Sequence, residues 1–175
     1  MTQIDISTLD TSKLKKIGTV STLIHNLEEV QEQLSGKIDG TTMFYRGHAD
    51  KDWKLEPGIY RSSKALEKED YLVHDIIRHC PNDFVNCHSS FEKLVKMQHY
   101  DLPTRLLDIS MNPLVALYFA TCDEMDKDGE FFVFILKDED ISHYDDNWVN
   151  ILSRISFMPK DKVNVGEDKK SGGIL

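Results

Sequence analysis

Two short clusters hold the side chains of this sequence that can grip an anion or pass a proton. The first is Phe44-Tyr45-Arg46-Gly47-His48. An arginine at the end of a β-rich run can hold a phosphate or carboxylate through two parallel N–H bonds. A glycine directly after it lets the backbone turn sharply or lets a ligand come close. The same residues also suit a guanidinium fixed in the fold by a carboxylate such as Asp108. The second cluster is the stretch from Met97 to Pro113, with Gln98, His99, Tyr100, Thr104, Arg105, Asp108 and Ser110 around Pro103. His99 can carry a proton, or it can close a helix by serving the last carbonyls, which is the favoured role. Arg105 and Asp108 are three apart, so in an extended chain they face opposite ways and each needs a partner elsewhere. Tyr45 and Tyr100 offer rings on which a ligand can stack.

The elements that must position these groups follow from periodicity. Leu23, Ile24, Leu27, Val30 and Leu34 recur at helical spacing, predicting a helix over 22–34 with Ser21 as N-cap and Gly36 as stop. Thr42 to Gly47 reads as a buried strand ending at Arg46, followed by a loop to Pro57. A second helix is expected over 63–79, interrupted at Pro81-Asn82-Asp83. Ser89-x-x-Glu92 is a capping box for a third, with Phe91, Leu94 and Val95 facing inward. It runs to about Tyr100, and Thr104 to Ile109 then reads as a strand or extended turn. Asn112-Pro113 starts a fourth helix to about 123, with Ala116 and Ala120 packing closely. Glu130 to Leu136 is apolar on both faces and reads as a central strand. Trp53, Phe131, Phe132 and Phe134 are expected as core or strand residues, and the 160–173 stretch as mobile. The mixture without regular alternation predicts an α+β fold, a small mixed sheet with several packed helices.

Composition narrows the classes. The 175 residues are 40% hydrophobic and 29% charged, enough to bury a core. No stretch approaches the roughly 20 apolar residues that span a bilayer, and no basic-then-apolar leader opens the chain. A cytoplasmic protein with no membrane partner is expected. The net charge of −9 disfavours nonspecific nucleic-acid binding, although a local basic pocket can still take an anion. Cys80-x6-Cys87-His88 invites a zinc site, but no second ligand pair is visible, so free, partly buried thiols and no metal are expected.

Tyr45-Arg46-Gly47, then Gln98-His99-Tyr100-x-Leu102-Pro103-Thr104-Arg105-Leu106-Leu107-Asp108, then Asn112-Pro113-Leu114-Val115-Ala116-Leu117-Tyr118-Phe119-Ala120 resemble the FRG domain family in order and spacing. The likeness covers about Val20 to Leu136. It implies a bacterial or phage module linked to phage defence or toxin activity. A second likeness is to the first motifs of arginine/serine/glutamate-type ADP-ribosyltransferases. By it Arg46 holds NAD, Asp108-Ile109-Ser110 stands at the serine strand, and Glu130 is the nearest candidate for the catalytic carboxylate. The sequence departs from that pattern: Asp108 and Ile109 occupy Ser/Thr positions, and no Glu-x-Glu lies in the next strand.

The resulting expectation is an FRG domain over 20–145, a polar segment over 1–19, and a mobile or truncated extension over 146–175. Its site takes a nucleotide or other anionic small molecule, with Tyr45, Arg46, Gly47, Gln98, Tyr100, Thr104, Arg105 and Ser110 as binding residues. Glu130, His99 and Asp108 are the catalytic candidates. A phage or host protein is a further partner. Three alternatives stand: a binding module, an NAD-dependent ADP-ribosyltransferase-like enzyme, and a metal-assisted hydrolase or nuclease. All need the end of the early strand and the stretch before Asn112 to converge on one cavity.

Overall fold

The computed structural model describes residues 9–159. Helices α1 (Val20–Gln33), α2 (Ser63–Glu67), α3 (Glu69–His79), α4 (Pro81–Phe84), α5 (Ser90–His99), α6 (Pro113–Thr121) and α7 (Asn147–Ser153) accompany strands β1 (Thr41–His48) and β2 (Glu130–Lys137). The fold is α+β, as the sequence predicts. The chain divides into two units, one of residues up to 53 with 109–141, the other of 54–108 with residues from 142 onward.

In the first unit, the N-cap of α1 is Thr19 and not Ser21: the Thr19 hydroxyl accepts from the Thr22 N–H at 3.1 Å. Leu23, Val30 and Leu34 are buried as expected, while Ile24 is exposed. Asn26 is buried because its amide exchanges two bonds with the Lys15 backbone, at 3.0 and 2.7 Å. That exchange ties the incoming segment to the helix. Gly36 closes the turn at φ +76°, a conformation side chains resist.

Strands β1 and β2 are antiparallel, with Thr41 opposite Lys137 and His48 opposite Glu130. On the other side of β1, Tyr45 and Ser110 exchange both backbone bonds, at 2.7 and 2.8 Å. The middle position therefore belongs to β1. The expected central strand, β2, has one partner strand among the described residues. Its apolar character on both faces has a local cause. Phe131 meets Tyr45 on one face of the ribbon, and Phe132 meets the His48 ring edge-on at 4.8 Å on the other.

Helix α6 lies on the Tyr45 face of the ribbon, and glycine permits it. A Cβ on Gly47 would fall 1.9 Å from the Ala116 carbonyl oxygen and 2.6 Å from the Ala120 nitrogen. One on Gly129 would fall 2.2 Å from the Ala120 oxygen. Ala116 and Ala120 are buried in this contact, the close packing that their size predicts.

In the second unit the expected helix over 63–79 breaks at Lys68, which ends α2 and begins α3. Helix α3 ends at His79, as expected, and Pro81 opens the short α4, its missing N–H being harmless at a first position. The capping box forms as predicted: Ser89 accepts from the Glu92 N–H at 3.0 Å, and Glu92 accepts from the Ser89 N–H at 3.1 Å. Val73, Phe84, Leu94 and Met97 make the core. Val95, expected inside, is 47% exposed; Leu94 and Met97, three apart, already fill the buried stripe. Asp101 at φ +60° turns the chain after α5. Residues 104–109 form no strand; the bridge to β1 is made by Ser110, one residue beyond the expected stretch. Helix α7 lies within the stretch expected as an extension over 146–175; the expected mobility of 160–173 falls outside the described residues. Among the described residues no helix is long and apolar enough to cross a membrane.

Candidate functional site

The predicted residues resolve into two polar groups, one in each unit. In the first unit, strand alternation sorts the Phe-Tyr-Arg-Gly-His cluster by face. Arg46 and His48 share a face with their register partners Phe132 and Glu130, while Tyr45 and Gly47 turn to α6. The Arg46 Nε donates to the His48 Nε2 at 3.0 Å. An imidazole nitrogen that accepts carries no proton, so this bond fixes the ring as the Nδ1–H tautomer. His48 is 2% exposed and aligns the half-buried guanidinium along the strand. Beside it stands Trp53, its ring 6.2 Å from the imidazole and tilted by 55°. Trp53 is 41% exposed, not a core residue as its type suggested. One face thus presents the Arg46 guanidinium, aligned by the buried His48 ring, together with a carboxylate at Glu130 and an open indole.

Ser110 is on the opposite face. Paired directly with Tyr45, its side chain points to the α6 side, where its hydroxyl accepts from the Asn112 N–H at 3.0 Å. The two segments are hydrogen-bonded neighbours, as convergence requires, but Arg46 and the Ser110 hydroxyl do not share a face. Burial pushes the Tyr45 phenol above its ordinary range, so this side is a packed one. Gly47 serves that packing, since its φ is not positive and the space beyond it is filled by helix backbone.

In the second unit, Arg105 forks onto Glu69: its Nε lies 2.8 and 2.9 Å from the two carboxylate oxygens and Nη2 2.5 Å from one. Nη1 donates to the Tyr60 hydroxyl at 3.0 Å. Burial alone would lower the guanidinium, but the hydrogen bonds and charge of Glu69 outweigh it and the net shift is upward. The expected anion clamp at Arg105 is thus already engaged by a buried carboxylate. Gln98 spends both ends of its amide locally. It donates to Asp108 at 2.6 Å and accepts from the buried Thr104 hydroxyl, which in turn accepts from the Leu106 N–H at 3.1 Å. Arg105 and Asp108 find separate partners, as their spacing predicts. His99 ends α5 as an exposed residue with its ring 5.8 Å from that of Tyr100.

The roles of His48, Trp53, Glu69 and Tyr60 were missed by sequence reasoning. The first carried a signal, two positions after Arg46 and hence on its face. Glu69 carried none, being 36 residues from Arg105. Two shallow depressions open on the first unit, about 600 Å³ along α1 and about 480 Å³ between Asp50 and Asp128, and neither is lined by the predicted residues. Among the described residues, no group of three or more His, Cys, Asp or Glu could hold a metal ion. Cys80, Cys87 and Cys122 are free thiols.

A family model described as the FRG domain matches residues 41–129, just over half of the chain. The match takes in β1, the Gln98–Asp108 segment and α6. No curated protein and no solved structure matches.

Proposed function

The chain belongs to the FRG domain family, and from that premise we propose that it recognises a nucleotide or another anionic small molecule on the Arg46 face of the β1–β2 ribbon. One observation carries this: Arg46, His48 and Glu130 share a face that the half-exposed Trp53 ring adjoins. Arginine supplies forked donors for a phosphate. An exposed indole supplies a stacking surface worth about 1–3 kcal/mol for a base. Glu130 can accept from sugar hydroxyls. A role in phage defence or toxin activity is the family-level expectation that such recognition would serve.

The test is a thermal-shift and calorimetric titration with AMP, ADP and NAD. Arg46→Ala should weaken binding at least about tenfold, a loss of about 1.4 kcal/mol, and Trp53→Ala should weaken it comparably. Glu130→Gln and His99→Ala should leave most of the affinity. Absence of any shift at millimolar nucleotide refutes the proposal.

A second reading, NAD-dependent transfer chemistry, is favoured by the presence of Arg46 and Glu130 on one face. It requires nicotinamide release from NAD that Glu130→Gln abolishes while NAD binding survives. Binding without release leaves a recognition module.

A further inference from the structure

We infer that the Arg46 face takes a nucleoside carrying a single phosphate and turns away nucleoside di- and triphosphates. The inference rests on the nucleotide reading above and names the ligand class within it. Strand alternation turns eight side chains of β1 and β2 to this face, and among them Arg46 is the one cation and Glu130 the one carboxylate. The Arg46 Nε donates to His48 at 3.0 Å, so a single, oriented guanidinium is what the two strands offer to phosphate. Glu130 stands opposite His48 and is therefore the diagonal neighbour of Arg46, about 7–8 Å away along the ribbon.

A polyphosphate has two ways to run from Arg46, and neither strand supplies it with a second cation. Towards Thr41 the face continues as Phe44 beside its register partner Phe134, side chains that give no donor to an oxyanion. Towards His48 it meets Glu130 and then the two loops at that end of the ribbon. Residues 50–52 and 123–130 hold seven carboxylates against two lysines. Both lysines are engaged: Lys127 lies 2.6 Å from Asp50 and 3.2 Å from Glu124, and Lys51 lies 3.7 Å from Asp128, which Lys16 reaches at 2.7 Å. The first phosphate gains Arg46; each further one adds negative charge against this acidic end. Polyphosphate sites meet that charge with several cations or a cradle of backbone N–H groups.

The test is calorimetric titration of the full chain with adenosine, AMP, ADP and ATP, in EDTA and again with magnesium. AMP should bind at least about tenfold tighter than either adenosine or ATP, with ADP between AMP and ATP. Arg46→Ala should bring AMP down to the level of adenosine while changing adenosine itself by less than about twofold. Glu130 is exposed, so Glu130→Gln should fold as wild type. It should narrow the gap between AMP and ATP at least about threefold, and so should raising salt from about 50 to about 300 mM, which screens the repulsion. ATP as tight as AMP in either buffer overturns the inference and leaves nucleotide recognition standing. So does adenosine as tight as AMP, or a gap that neither Glu130→Gln nor salt moves. Absence of binding by all four removes the nucleotide reading, and this inference with it.

Discussion

Gly47→Ala isolates the contact on which the first unit depends. The new Cβ would lie 1.9 Å from the Ala116 oxygen and 2.6 Å from the Ala120 nitrogen, both backbone atoms that no rotamer change can move. To restore a tolerable separation α6 must retreat from β1 by roughly 1 Å, and a gap of that size forfeits a quarter to a half of each dispersion contact along it. Overpacking of this kind costs about 1–3 kcal/mol. Because the backbone cannot yield locally, the upper end applies. The reduced entropy of the unfolded chain returns about 0.4–1 kcal/mol. A net loss of about 2–3 kcal/mol is expected, which for a chain of this length lowers Tm by roughly 5–10 °C. The assay is urea denaturation followed by far-UV circular dichroism, with amide exchange of β1 to localise the loosening. Gly58→Ala is the control, since its Cβ would sit an ordinary 3.5 Å from Pro103 and should change stability by less than about 0.5 kcal/mol. Ala116→Gly should not rescue Gly47→Ala, because the obstacle is a carbonyl and not a methyl group. A Gly47→Ala protein as stable as wild type would refute the reasoning.

Three further outcomes follow from other contacts. Glu69→Gln leaves the Arg105 guanidinium without its charge partner; with side chains 6% and 29% exposed, a loss of roughly 2–3 kcal/mol is expected by urea denaturation. Arg105→Lys should recover only part of the pair, since an ammonium cannot fork onto the carboxylate. Ser89→Ala removes the capping hydroxyl of α5 and should cost about 1 kcal/mol, read as faster amide exchange in its first turn. The hydrogen bond from Lys127 to Asp50, followed by that from the Asp52 N–H, holds the Asp50 carboxyl below its ordinary 3.8. A depressed value stabilises the fold above the unfolded value and loses that contribution as pH falls through the folded one. Asp50→Asn should therefore be less stable than wild type at pH 7, with the gap closing below about pH 4.

Local chemistry was sufficient for much of this protein. The Ser89–Glu92 box, the Asn112-Pro113 start and the small Ala116/Ala120 face each declare themselves within a turn or two of chain, because caps and helical stripes are satisfied by neighbours in sequence. The α+β class and the FRG resemblance rest on such short segments. The same locality misled where two candidates were close. Ser21 suits a cap by type, but the helix starts at Val20 and the Thr19 hydroxyl accepts from the Thr22 N–H.

Facing and partnership required the tertiary structure. Nothing local distinguishes Trp53 exposed from Trp53 buried, or makes β1 and not β2 the middle of the ribbon, because both depend on which segments meet. The motif arginines divide for the same reason. Arg105 is committed to a carboxylate 36 residues away, whereas Arg46 is aligned by a histidine two positions on, legible only once strand pairing fixes the alternation. Sequence by itself determined which residues could act and which elements carry them. Only the packed chain decided which faces they share, because long-range pairing, and not residue type, sets the direction of each side chain.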